Sequence, residues 1–128
     1  CSPTLATEGA PLDSPADLSR QILLHTDARP DEWPDWLASA GQPDLAPLRS
    51  LIFEKTNFAL AAAMKGIGVA IADRHIVAED IESGRLVALF AHALNRDTGY
   101  YLVYPANRAG HPKIRIFRDW LLSVAREP

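Results

Sequence analysis

Short apolar runs alternate with helix-period segments along this chain, and polar, Pro-rich breaks separate them. Residues 1–15 carry Pro3, Gly9, Pro11 and Pro15 and read as loop with short helical turns, Ser14 capping a turn at Pro15 to Leu18. Ile22-Leu23-Leu24-His25 is an apolar run that empties into Thr26 and Asp27, the profile of a buried strand ending in a polar loop. Asp31 to Ala40 predicts a helix: Pro34 falls in the first turn, where backbone N–H groups lack intrahelical partners anyway, and Gly41 supplies the stop. Trp33, Trp36 and Leu37 form its apolar side. Leu48 to Phe53 predicts a second strand, after which Thr56 and Asn57 offer N-capping side chains to a helix that runs to Gly66. That helix is apolar nearly all round and calls for cover on most sides.

Val69-Ala70-Ile71-Ala72 follows as a continuous apolar run, expected of a central parallel strand buried on both faces. His75 to Ser83 predicts a short helix stopped by Gly84, and Leu86 to Phe90 another strand. Strands alternating with helices through short connections predict βαβ units, and so an α/β fold with a mostly parallel sheet flanked by helices. Beyond a polar loop, Tyr100 to Tyr104 reads as a strand. Pro112 to Val124 reads as a helix with Ile114, Phe117, Leu121 and Val124 on one stripe and Trp120 beside it. That stripe needs a partner surface.

Composition changes this picture mainly by exclusion. At 128 residues the chain has the size of one domain, and its 48% hydrophobic and 23% charged residues are ordinary for a globular protein. A formal net charge of -3 argues against a broad basic face for gripping phosphates, so direct DNA binding by this piece is not expected. The single cysteine, Cys1, excludes an internal disulfide framework and fits a reducing compartment. No apolar run approaches the roughly 20 residues of a membrane-spanning helix.

The chemistry of catalysis is missing from the sequence. His25, His75, His92 and His111 stand far apart with no i, i+4 pairing, so no metal site and no cofactor are expected. No serine sits in a nucleophile elbow, and Cys1 has no base beside it. Gly66-Ile67-Gly68 stands after a helix and before a strand, the reverse of a phosphate-binding glycine loop; Gly66 reads as a helix cap and Gly68 as a turn into the strand. A non-enzyme is the expectation. Binding chemistry concentrates instead where the strand ending at Phe53 meets the helix starting near Thr56 and Asn57, because free N–H groups and the helix dipole favour a carboxylate there. A plain capping role fits the same two residues equally well. Ligands of open parallel sheets gather outside the carboxyl ends of the strands, which brings in His25 and Thr26.

The run FEKTNFALAAAMKGIGVAIADRHIVAEDIESGRLVALF from Phe53 to Phe90, followed by GYYLVYP and PKIRIFRDWLLSVA, resembles the C-terminal half of LysR-type transcriptional regulators. The branch it most resembles contains the glycine-cleavage activator and the β-lactamase regulators, and the opening CSP and PLDSPADLSRQILLH fit that branch too. The resemblance implies a periplasmic-binding-protein-like (type II) lobe. It implies that residues 1–92 are the second regulatory lobe, and that residues 93–128 are a hinge-return strand and a helix belonging to the first lobe. The DNA-binding domain lies outside this chain on that reading, as does most of the first lobe.

The same resemblance implies a cytoplasmic sensor that binds a small, amino-acid-like or carboxylate effector between two lobes, controls transcription, and works as a homo-oligomer with no membrane partner. By position it nominates His25, Thr26, Phe53, Thr56, Asn57 and Tyr100 as effector contacts. The cleft should be half built here, and the stripe on the last helix should lack its cover. A second reading, a surface-anchored periplasmic solute-binding lipoprotein of the same broad fold, draws on the opening Cys1-Ser2, since mature lipoproteins begin with Cys and a small residue.

Overall fold

A computed structural model describes residues 1–8, 11–96, 99 and 101–125. Among them, α1 (Pro3–Thr7), a 3-10 turn (Pro15–Arg20), β1 (Ile22–Thr26), α2 (Glu32–Ser39), β2 (Arg49–Phe53), α3 (Thr56–Met64), β3 (Val69–Ala70) and α4 (Arg74–Glu82) precede a 3-10 turn at Ala106–Arg108 and α5 (Pro112–Val124). The chain divides into two compact units, Cys1–Asn95 and Arg96–Pro128.

In the first unit the strands are all parallel, in the order β2-β1-β3. Leu24 pairs with Leu51 on one side and Ala70 on the other, so β1 is the central strand. Alternation along β1 sends Leu24 to a face where Ala59, Leu60, Ala62 and Ala63 of α3 pack with Val77 of α4 and Leu86. Leu23 points to the opposite face, against Leu18, Trp33, Leu37 and Val69. The indole N–H of Trp33 donates to the Leu24 carbonyl at 2.9 Å and ties α2 onto the central strand. The chain runs from β1 to β2 through α2 on one face and then back across β1 to β3 through α3 on the other, as right-handed crossovers require when the direction of winding reverses.

Several expectations are corrected. The central strand is β1; Val69-Ala70 pairs only with β1, and the chain leaves the sheet at Ile71. α3 is covered on one side only, with Phe58 and Ala61 exposed. Leu86 to Phe90 forms no strand: Val87 exchanges both backbone hydrogen bonds with Cys1, an isolated pair that does not continue as a ladder. Gly99 and residues 101–104 are likewise not in a strand, and Tyr100 lies outside the described residues. At the 3-10 turn the Ser14 N–H and hydroxyl both donate to Asp17 Oδ2 at 2.9 Å, so the expected cap there works through the aspartate.

Gly66 closes α3 as expected, with φ +74°, its N–H on Ala63 and the Ile67 N–H on Ala62, the paired bonds of a left-handed helix end. Gly68 serves a different purpose from the expected turn. A β-carbon there would collide with the Ile22 carbonyl oxygen, so the absence of a side chain lets the start of β3 close onto β1. In the second unit, α5 has no buried residue; Ile114 and Leu121 are half-buried, and the Phe117 and Trp120 rings lie 5.7 Å apart on its exposed surface.

Two outcomes follow from this packing. Gly68→Ala forces backbone apart in the sheet, and urea unfolding should show a loss of about 2 kcal/mol or more. Burial holds the His25 imidazole below its ordinary value of 6.5. The unfolded chain therefore takes up the proton at higher pH than the folded one; this contribution is fully present above about pH 6.5 and is lost as pH falls from there through the folded value. Urea midpoints of the wild type and His25→Gln, compared at about pH 8 and about pH 5, should show the larger acid loss in the wild type.

Candidate functional site

All three helices that follow a strand begin at one edge of the sheet, beyond the carboxyl ends of β1, β2 and β3. The polar groups there come from the last residues of the strands and the first turns of the helices. Thr26 pairs with Phe53 in the ladder, and the Asp27 N–H donates to the Phe53 carbonyl at 2.8 Å, so pairing of β1 and β2 extends to the rim. Thr26 is buried, 4% exposed, on the face that α3 covers. Its hydroxyl makes no hydrogen bond with a described residue. No fully inaccessible side-chain N or O lacks a partner among the described residues, so this hydroxyl reaches the open rim.

Thr56 and Asn57 are the first two residues of α3, not its cap. Lys55 occupies the cap position in extended conformation, with no side-chain bond to the helix. Without a cap, the N–H groups of Thr56 and Asn57 find no acceptor among the described residues, while those of Phe58 and Ala59 bond the Lys55 carbonyl at 3.1 and 3.4 Å. The three helix starts differ in charge. α2 carries Glu32 and Asp35 in its first turn, and Asp73 stands at the cap position of α4. α3 has no acidic residue in its first turn, which leaves its positive end open to an outside anion.

A feature that the sequence reading missed spans the same rim. Arg29, in the loop after β1, bonds Glu32 at 2.9 Å and Asp73 at 3.3 Å, joining the loops that follow β1 and β3. Bonds to both carboxylates raise the guanidinium above its usual value. These loops lead to helices on opposite faces, the arrangement that opens a crevice in a doubly covered sheet. Arg29 and Asp73 stand 44 positions apart, and only the strand order brings them together.

Of the expected site residues, Thr26, Phe53, Thr56 and Asn57 converge at this rim. His25 precedes Thr26 on the same strand but faces the other way, with a ring nitrogen 3.2 Å from Ser50 Oγ and its ring 6.3 Å from Trp33. Tyr100 lies outside the described residues. The rim presents a hydroxyl, free amides and an ion pair. This is equipment for holding a small polar molecule.

Comparison with known proteins agrees with this construction. The LysR substrate binding domain model matches residues 1–126. The glycine cleavage system transcriptional activator of Escherichia coli (strain K12) is 37% identical over 125 residues, covering 98% of this chain and 41% of that protein. The HTH-type transcriptional activator AmpR of Pseudomonas aeruginosa is 38% identical over 126 residues, with the same two coverages. The chain thus spans about two fifths of these relatives, which are transcriptional regulators and not enzymes.

Among solved structures, the effector domain of AmpR from Pseudomonas aeruginosa superposes with a TM-score of 0.73 at 32% identity, covering 98% of this chain and 59% of that one. The AmpR effector binding domain from Citrobacter freundii gives 0.74 at 28% identity, covering 100% and 62%. Matched along nearly all of its sequence and in its fold, the chain belongs to the LysR substrate binding domain family.

Proposed function

We propose that this chain is the effector-sensing part of a bacterial LysR-type transcriptional regulator, which binds a small molecule at the carboxyl rim of its sheet and passes the binding event to a DNA-binding domain elsewhere in the polypeptide. The observation that carries the reading is the family match over residues 1–126, together with relatives that are transcription activators. Residues 1–92 form the second regulatory lobe on this reading, and residues 93–128 return toward the first. The division of the chain between Asn95 and Arg96 supports that boundary. The regulator is cytoplasmic and homo-oligomeric in this proposal; no helix among the described residues is long and apolar enough to cross a membrane. The lipoprotein alternative has no counterpart among these relatives.

The effector is amino-acid-like or carries a carboxylate. Its anionic group sits on the open amides of Thr56 and Asn57 with the Thr26 hydroxyl as a further donor, and Phe53 completes the site. His25 borders it from the opposite face. Support comes from the uncapped start of α3 beside a buried hydroxyl that no described residue satisfies.

Calorimetric titration of free amino acids and short acidic peptides into the full-length regulator tests this. Thr26→Val keeps the shape and removes the hydroxyl, so its urea midpoint should stay unchanged or rise while effector affinity falls about tenfold, the worth of one hydrogen bond to a charged group. Asn57→Ala should weaken binding less, because its backbone N–H remains. Equal affinity in all three proteins would remove the rim from consideration. Promoter DNA bound by the 128-residue chain alone as tightly as by the full-length protein would overturn the regulator reading itself.

A further inference from the structure

Four aromatic and imidazole rings run in contact from the end of β1 to the end of the first unit. His25 lies 6.3 Å from Trp33, Trp33 lies 5.9 Å from Trp36 at 79°, and Trp36 lies 5.4 Å from His92 at 66°. Phe90 adds a second contact to Trp36 at 5.8 Å. The separations are those of attractive edge and offset ring pairs. A hydrogen-bonded clasp closes the far end. Ser39 Oγ lies 2.7 Å from the Trp36 carbonyl and 2.8 Å from His92 Nε2. The hydroxyl has one hydrogen, which it donates to the carbonyl, so the imidazole Nε2–H donates to the hydroxyl oxygen.

The position of this row gives it a use. Its first ring belongs to the strand that ends at the candidate effector rim, and its middle two stand on α2, which Trp33 anchors to the Leu24 carbonyl. Its last ring sits three residues before Asn95, where the chain leaves the first unit. Beyond the Val87–Cys1 backbone pair, the segment to Asn95 has no regular secondary structure and depends on side chains for its path: Leu89 and Phe90 pack on the core that holds Trp33, and His92 is held by Ser39.

We propose that the row from His25 through Trp33 and Trp36 to the Ser39–His92 clasp is a positioning device that fixes where the chain exits the sensing unit, with the end of β1, behind the effector rim, as its near end. Its regulatory meaning rests on the effector reading above. The mechanical claim does not, because it is tested without ligand.

Backbone 15N relaxation on the ligand-free 128-residue chain reads it directly. Ser39→Ala and His92→Ala should each lower the backbone order parameters of residues 90–95 from the rigid range, about 0.85, toward the flexible range below about 0.6, with Leu23 to Thr26 unchanged. Trp36→Phe keeps ring contacts and should stay near the wild type, whereas Trp36→Leu should match the His92 variant. His25→Leu should also lower the order parameters of residues 90–95, by a smaller amount. Wild-type order parameters at 90–95 in the Ser39 and His92 variants overturn the proposal. So does identical behaviour of Trp36→Phe and Trp36→Leu, which would reduce the row to apolar filling, or an effect of His25→Leu that stops at Trp33.

Discussion

The first unit depends on β1 being paired along both edges and covered on both faces. Three of its residues carry this: Leu23 and Leu24 point to opposite cores, Leu24 offers its carbonyl to Trp33, and Thr26 closes the rim. A strand in that position has no polar side to spare, which is why Ile22 to Leu24 reads as a continuous apolar run and not as an alternation. Both flanking strands are short of such constraint. β2 exposes Ile52, and β3 keeps only two residues in the ladder, held against β1 because Gly68 brings no side chain into the gap.

From that strand the chemistry of the rim follows by geometry. Parallel strands deliver all their carboxyl ends to one edge, so the three helices that follow them place their positive ends there together. Two of those ends are neutralised by the chain's own carboxylates, Glu32 and Asp35 on α2 and Asp73 at α4. Arg29 then balances Glu32 and Asp73. The exposed ion pairs of Arg29 contribute little to stability, since solvent screens them, but they join two loops that the sheet alone leaves separate.

How much of this was legible beforehand depends on range. The helices over Glu32–Ser39, Thr56–Met64 and Arg74–Glu82 are written in local signals: apolar spacing and a glycine after each end. The family was legible because ordered motifs extend over nearly the whole chain. Strands were harder. Leu86 to Phe90 has the composition of a strand, yet a strand exists only where a neighbour supplies the other half of its hydrogen bonds, and here Cys1 alone does so. Val69 to Ala72 looked central because it is apolar, but apolarity does not reveal strand order. The Arg29–Asp73 bridge was invisible for the same reason. At the site, the residue types were right and the role was shifted by one position: Thr56 and Asn57 start the helix, and Lys55 stands where a cap would be.

That one-position shift bears on function. A serine, threonine, aspartate or asparagine in the cap position stabilises a helix by about 1 kcal/mol over a residue that cannot accept the free N–H groups. α1 uses Ser2 in this way, with its hydroxyl on the Leu5 N–H at 3.1 Å, so the chain supplies caps elsewhere. At α3 it places Lys55, which cannot accept, and leaves two amides open beside a buried hydroxyl that is itself unmatched among the described residues. Donors that the chain leaves unmet at an open rim take their hydrogen bonds from water until a ligand with acceptors replaces it. On the proposed reading, this gap in the cap is where the acceptors of a carboxylate-bearing effector would be held.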